Sequence, residues 1–322
     1  MDNFTRSSRN AFVAQALNRA HNRRKSEAWL LERLHDPSSR FLPIWKTRML
    51  FTGGDAPQPV LLKINEIEKY ISDPEECYFL GEENGFGYFT AEIRDFAELP
   101  SDLAALGVFR DLRPIAPLLS KNDGALLAYA KTLVYWHKRN RFCGSCGSPT
   151  RIGEGGQVRS CTGPDCGSVE FPRTDPAVIV LITYGNKCLL GRQAIWPERM
   201  YSVIAGFVAP GESAEAAVVR EAFEETGIRV RDIYYQSSQP WPFPCSLMLG
   251  FTAEAENEEI RLEDKELEGA RWFDRGEIRS AVENGTLKLP SSISISFHLI
   301  EDWFDSESQV RLRDLALRDR VA

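Results

Sequence analysis

The stretch Gly206–Ile228, GFVAPGESAEAAVVREAFEETGI, restricts the fold more than any other part of this 322-residue chain. Glu221, Glu224 and Glu225 stand at i, i+3 and i+4, so in a helix they share one face. Three crowded carboxylates cost stability unless cations neutralise them. Hard divalent ions that take oxygen ligands, Mg²⁺ or Mn²⁺, suit that task. Arg220 precedes the cluster and is placed to hold one of these side chains. Glu212 lies before the helix, where a loop carboxylate reaches a cap or orients Arg220. Gly206 and Gly211 let the loop approach a ligand, and Gly227 fits the stop after a helix over Ser213–Thr226. A solvated acidic face is the ordinary explanation for a run of glutamates, but glycines and an arginine at fixed offsets argue against it.

A second constraint is the cysteine cluster. Cys143 and Cys146 form a C-x2-C knuckle, and after fourteen intervening residues Cys161 and Cys166 form a C-x4-C pair. Four thiolates at this spacing, among glycines and a proline, suit a closed tetrahedral Zn²⁺ site with a structural role. Four unrelated thiols, or a redox C-x-x-C, leave the second pair without a purpose. Cys77, Cys188 and Cys245 lie in apolar stretches and read as packing residues. Clustered free thiols and no signal-peptide core point to a reducing compartment, the cytoplasm. A net charge of −7 disfavours a general nucleic-acid binder. No segment has the roughly 18–20 apolar residues of a membrane span, so no membrane partner is expected.

Residues 1–140 carry no chemical motif. The opening 35 residues are amphipathic and Arg-rich; a transit peptide and a plain surface helix both fit, and Asp2 and Glu27 favour the helix. Short strands and turns follow, with a hairpin expected at Asn84–Gly85. Residues 123–141 read as an amphipathic helix with Leu126, Ala130, Leu133 and Trp136 on one face, and its basic end runs into the cysteines. Residues 176–193 read as a buried hairpin, and a C-terminal helix is expected near FHLIEDWF. Strands mixed with separate helices indicate an α+β protein or a helix–sheet–helix sandwich. The ribbon SSQPWPFPCSLM, Ser237–Met248, lies between two apolar segments. Its three prolines fix φ and remove N–H donors, which stiffens the chain and blunts a sheet edge.

The acidic segment resembles the Nudix box, G-x5-E-x7-R-E-U-x-E-E-x-G-U, through Gly206, Glu212, Arg220, Glu221, Glu224, Glu225, Gly227 and Ile228. Ala222 replaces the usual bulky aliphatic, a departure that concerns packing. SQPWPFPCS (238–246) is similar to the signature of the NADH pyrophosphatase branch, which also carries a zinc cluster just upstream. The two features cover residues 141–302. The resemblance implies a Nudix α/β/α sandwich with a mixed sheet over 173–322. It also implies a zinc ribbon over 141–172 and an α+β amino-terminal domain over 1–140.

The same resemblance implies hydrolysis of the pyrophosphate of NAD(H) to nicotinamide mononucleotide and AMP, and removal of NAD caps from RNA. Mg²⁺ or Mn²⁺ would be held by Glu221, Glu224, Glu225, Glu266 and the Ala205 carbonyl, with Arg220 and Glu212 in support. Glu266 aligns best with the downstream general base, though which glutamate fills that role stays open. Phe171 and Phe207 would sandwich the nicotinamide across a homodimer interface. Gln239, Pro240, Trp241, Pro242, Phe243, Pro244, Cys245 and Ser246 would line the dinucleotide, with Ile179 and Met248 as apolar walls and Ser296 offering a backbone contact. Whether Trp241 and Phe243 face the ligand or pack beneath it is open. Two other functions remain: the same chemistry on ADP-ribose or another diphosphate, against which the proline ribbon argues, and a non-catalytic NAD-sensing regulator, against which the intact Arg220–Glu225 set argues.

Overall fold

The computed structural model describes residues 2–14, 17–73, 76–262 and 266–318. The chain divides into two compact bodies. One comprises residues 12–174 with 241–245; the other comprises 2–11, 175–240 and 246–318.

The chain opens with α1 (Asn3–Arg9), which belongs to the second body. The amino-terminal body then runs α2 (Glu27–His35), β1 (Arg40–Trp45), β2 (Arg48–Phe51), α3 (Ile64–Ile67), β3 (Tyr78–Glu83), β4 (Phe86–Glu92), α4 (Ser101–Leu106), β5 (Val108–Arg110), α5 (Leu112–Ile115) and α6 (Lys121–Arg139). The single opening helix read from sequence is therefore two. After Arg9 the Asn10 backbone is extended, and α2 starts afresh where the Ser26 hydroxyl accepts from Trp29 N–H at 3.3 Å. The sheet order is β3-β4-β1-β2-β5, with β1 and β4 parallel. Asn84 and Gly85 both have positive φ, 52° and 83°, which a two-residue hairpin with matching twist requires. Phe41 stacks on Phe89 at 5.1 Å and Phe79 meets Phe89 edge-on, forming the centre of this core. Helix α6 buries Leu127, Ala130, Leu133, Trp136 and His137. Strands β6 (Thr150–Gly153), β7 (Val158–Cys161) and β8 (Val169–Glu170) form a small antiparallel sheet around the cysteines.

The second body contains β9 (Asp175–Tyr184), β10 (Lys187–Arg192), β11 (Ile204–Phe207), α7 (Ala214–Thr226), β12 (Val230–Trp241), β13 (Ser246–Ala255), β14 (Gly269–Asp274), α8 (Arg275–Glu283), α9 (Ile295–Asp305) and α10 (Leu312–Arg318). The sheet order is β12-β13-β9-β10-β14, with β11 also on β9 and β13 parallel to β9. Strand β9 is apolar on both faces because both are covered. Val178, Val180 and Ile182 join Ala217, Val218 and Ala222 of α7. Ile179 and Leu181 join the apolar residues of α8, α9 and α10 on the opposite face. The result is a helix–sheet–helix sandwich, as expected from sequence. Ala222 is fully buried against this sheet, so the small residue in the box is matched by close packing.

Helix α1 is fastened to this body by polar contacts. Arg9 donates to Glu301 at 3.0 Å and Asp302 at 2.7 Å. Ser7 Oγ accepts from Ser238 N–H at 3.0 Å, and the Asn10 amide donates to the Ser238 carbonyl at 2.9 Å. Glu301 is buried and also receives Arg313 at 2.8 Å and His298 at 3.2 Å. Those donors outweigh the cost of burial and hold its carboxyl down at about 2.

Candidate active site

Helix α7 is set by its ends. The Ser213 hydroxyl accepts from Ala216 N–H at 3.1 Å, and Gly227, at φ 70°, closes the last turn onto the Phe223 carbonyl. Between these ends the helix presents Arg220 as a hub. Its Nε and Nη2 donate to the two oxygens of Glu212, both at 2.8 Å, a bidentate pair. Nη1 donates to Glu221 at 2.8 Å and Glu224 at 3.0 Å, and Nη2 also reaches the Phe207 carbonyl at 2.9 Å. Glu212 further accepts from Ala209 N–H at 3.0 Å. One guanidinium thus joins the end of β11, the glycine loop and the helix. Arg220, followed by the Ala209 N–H, holds the Glu212 carboxyl down at about 2, and Glu212 in turn pushes the arginine's pKa upward.

Glu221 lies against the β11 backbone. A Cβ on Gly206 would stand 1.9 Å from the Glu221 Cδ, so only glycine admits the carboxylate there. Burial pushes Glu221 upward; Arg220 opposes that shift, and the charges of Glu224 and Glu266 add to it. Glu266 is exposed and accepts weakly from Gln193 at 3.4 Å. Glu225 is buried at 3% exposure, while Glu224 is open to solvent. The donor set is what a hard divalent cation takes: several carboxylates around a cradle that only a glycine leaves open. With Arg220 bound to Glu221 and Glu224, however, these carboxylates are not drawn together as the cysteines are; among the described residues the cysteines form the sole tight ligand cluster.

The four cysteine sulfurs lie within 4.8 Å of one another. Cys143–Cys166 is 3.7 Å and Cys146–Cys161 is 3.3 Å, near the spacing of about 3.8 Å that Zn–S bonds of ~2.3 Å set in a tetrahedron. Backbone N–H groups of Cys146 and Ser145 pull the Cys143 thiol down, whereas, against the Gly163 N–H, burial and the neighbouring sulfurs push Cys161 up. Cys77, Cys188 and Cys245 are buried, and burial pushes Cys77 up to about 12.

Residues 173–290 match the family described as "NUDIX domain", and residues 138–171 match "NADH pyrophosphatase zinc ribbon domain". Residues 38–136 match "NADH pyrophosphatase-like rudimentary NUDIX domain". "NAD-capped RNA hydrolase NUDT12" of Homo sapiens is 34% identical across 91% of this chain and 73% of its own. "NAD-capped RNA hydrolase NudC" of Mycobacterium bovis is 42% identical across 74% of this chain and 78% of its own. The chain belongs to the NADH pyrophosphatase branch of the Nudix hydrolases. Its four cysteines are those of that branch's zinc ribbon, and α7 with its preceding loop is the Nudix box.

Several residues of the signature ribbon of this Nudix hydrolase are committed to internal packing. Gln239 is fully buried. Its amide donates to the carbonyls of Ala11 at 3.1 Å and Ile293 at 2.6 Å, and its oxygen accepts from Ile295 N–H at 2.8 Å. Both amide hydrogens and one lone pair of the oxygen go to backbone, so Gln239 pins β12. Trp241 and Phe243 meet each other edge-on at 5.1 Å and both meet Phe12. The Arg113 guanidinium lies over both rings, at 5.3 and 5.6 Å. They pack within the amino-terminal body, and Phe12 and Arg113 had no signal in sequence. Pro242 and Cys245 are buried, Pro240 and Pro244 exposed, and Ser246 and Met248 half-buried. Ile179 is core, and Ala205 is paired opposite it. Ser296 is buried, its hydroxyl 2.7 Å from that of Ser202, and its N–H is taken by Ser294 Oγ at 3.2 Å, which leaves no backbone donor for a ligand. Phe171 and Phe207 expose 67% and 61% of their surfaces, unusual for aromatic rings without a partner. Among the described residues no helix is long and apolar enough to cross a membrane.

Proposed function

We propose that this chain hydrolyses the pyrophosphate bond of NAD(H), releasing nicotinamide mononucleotide and AMP, and makes the same cut at the NAD cap of RNA. The Arg220 hub over an intact Glu212–Glu221–Glu224–Glu225 set carries this reading, since a degenerate regulator has no need of it. The names of the relatives and the ribbon signature support the choice of substrate.

Glu221, Glu224 and Glu225, with Glu266 and the Ala205 carbonyl, would hold Mg²⁺ or Mn²⁺. The cation, when bound, neutralises the diphosphate and acidifies a water. Arg220 keeps the glycine loop and helix in one geometry, and Gly206 leaves room for the Glu221 carboxylate. Glu266 is the group we assign to take the proton of the attacking water, because it is exposed and its charge is felt at Glu221. The exposed Phe171 and Phe207 rings are assigned to stacking on nicotinamide in a homodimer. The chain is read as an amino-terminal domain over 1–140, a zinc ribbon over 141–172 and a Nudix domain over 173–322. The zinc ribbon's free thiols support a cytoplasmic enzyme.

The test is incubation with NADH and Mg²⁺ or Mn²⁺, followed for AMP and the reduced mononucleotide. Turnover by the native chain and its loss in Glu225→Gln is the expected pair. No turnover by either protein would defeat the reading. Ranking NADH, NAD⁺, ADP-ribose and NAD-capped RNA by kcat/KM then fixes the substrate.

A further inference from the structure

The basic end of α6, which the catalytic reading leaves without a task, borders a recess of about 250 Å³ within the amino-terminal body. At its base lies Arg159, only 5% exposed. Arg159 donates to His137 Nδ1 at 2.9 Å, to Thr150 Oγ1 at 2.6 Å and to the Thr150 carbonyl at 3.1 Å. None of these acceptors is charged: His137 Nε2 engages the Gly156 carbonyl, and burial pushes that imidazole's pKa down to about 3, so the ring is neutral. Among the described residues Arg159 makes no ion pair, and two of its five N–H donors remain. The charge of Glu76 reaches Arg159 only from a distance. A buried cation without a directly paired counterion is costly, and an anion beside it removes that cost.

The rest of the recess points the same way. Lys138 is committed to Glu92 and Lys46 to Asp95, both at 2.8 Å. That leaves Arg94, which also donates to the Lys69 carbonyl, Arg141 and Arg159 against Glu76, three cations to one carboxylate among the described lining residues. The surplus of two positive charges matches a phosphomonoester, which carries about −1.5 to −2 at neutral pH. Trp45 supplies an apolar wall for an organic substituent. The volume falls below the roughly 300–1,000 Å³ of ordinary ligand pockets, which suits a small anion better than a dinucleotide. An RNA strand needs a continuous basic track, and here Glu76, Glu92 and Asp95 interrupt it.

We propose that this recess, built by Arg159 at its base with Arg94 and Arg141 at its mouth, binds a small phosphomonoester. The source is either free inorganic phosphate or a nucleoside monophosphate such as AMP.

The test is calorimetric titration of the 322-residue chain, without added divalent cation, with inorganic phosphate, AMP and a ten-nucleotide single-stranded RNA. Three proteins are compared: native, Arg94→Ala/Arg141→Ala and Glu221→Gln/Glu225→Gln. Both arginines are exposed, and circular dichroism with zinc analysis verifies the fold. The expected result is one saturable site per chain for phosphate or AMP, weakened at least tenfold by the arginine pair and unchanged by the glutamate pair. Preference for AMP over phosphate identifies a nucleotide as the source; equal affinity identifies the phosphate group alone. The arginine pair should also leave NADH turnover intact. Absence of saturable binding, loss in the glutamate pair instead of the arginine pair, or binding of RNA alone would each overturn the assignment.

Discussion

Replacing Gly206 by alanine separates the fold from the chemistry. The added Cβ would stand 1.9 Å from Glu221 Cδ and 2.0 and 2.3 Å from its two oxygens. Carbon atoms in contact sit about 3.5 Å apart or more, so the carboxylate has to retreat by about 1.6 Å. Its 2.8 Å bond to Arg220 Nη1 does not survive such a move. A misplacement of about 1 Å in a catalytic constellation costs on the order of 10²-fold, so kcat is expected to fall ~10²- to 10³-fold. Stability should hardly change. Gly206 does not have positive φ, so alanine is tolerated by the backbone, and the lower entropy of the unfolded chain contributes about 0.4–1 kcal/mol against the strain. The assay is NADH hydrolysis with kcat and KM resolved, beside a thermal melt. Glu221→Ala alone and in combination with Gly206→Ala complete a cycle; the double variant should be no worse than Glu221→Ala, because both act through one carboxylate. Gly206→Ala with activity within about threefold of native would refute the cradle.

Three further outcomes follow from the geometry. Cys143→Ser should lose zinc by metal analysis and lower stability by several kcal/mol, since metal binding is folding free energy in such sites; unchanged zinc content would remove Cys143 from the ligand set. His137 is held neutral, its folded pKa of about 3 lying below the unfolded 6.5. Its contribution is therefore complete above pH 6.5 and lost as pH falls toward 3, with an upper bound of about 4–5 kcal/mol. Urea midpoints across that window should fall steeply for the native chain and much less for His137→Gln. Gln239→Ala strands two carbonyls and one N–H in the core and should cost about 2–4 kcal/mol in denaturant unfolding; a loss below about 0.5 kcal/mol would contradict the pin.

The chemistry was legible because it is local. Glu221, Glu224 and Glu225 are set by helical spacing, Arg220 and Glu212 are eight residues apart across one loop, and Cys143, Cys146, Cys161 and Cys166 sit on consecutive knuckles. Asn84–Gly85 likewise announces its hairpin, because both residues accept the positive φ that the turn demands. The turn between β1 and β2 uses positive φ at Lys46 and Thr47, residues with no such preference, and only the strands on either side reveal it. Partners distant in sequence left no trace. Arg9 with Glu301, Asn10 with Ser238, and Phe12 and Arg113 with the ribbon aromatics are each set by tertiary packing that no periodicity encodes.

The proline ribbon shows where a local pattern and a tertiary one meet. Along β12 the residues alternate, and this places Gln239 inward and Pro240 outward. An inward glutamine in a core must satisfy both ends of its amide, and it finds three backbone groups there. An outward proline costs nothing at an edge strand, since its missing N–H has no ladder partner to lose. The aromatic residues that look most suited to stacking on a base are occupied by Phe12 and Arg113. Substitution of Trp241 should therefore act first on stability and only secondarily on KM, whereas the exposed Phe207, beside the hub carbonyl that Arg220 binds, is the aromatic whose loss should raise KM while leaving the fold intact.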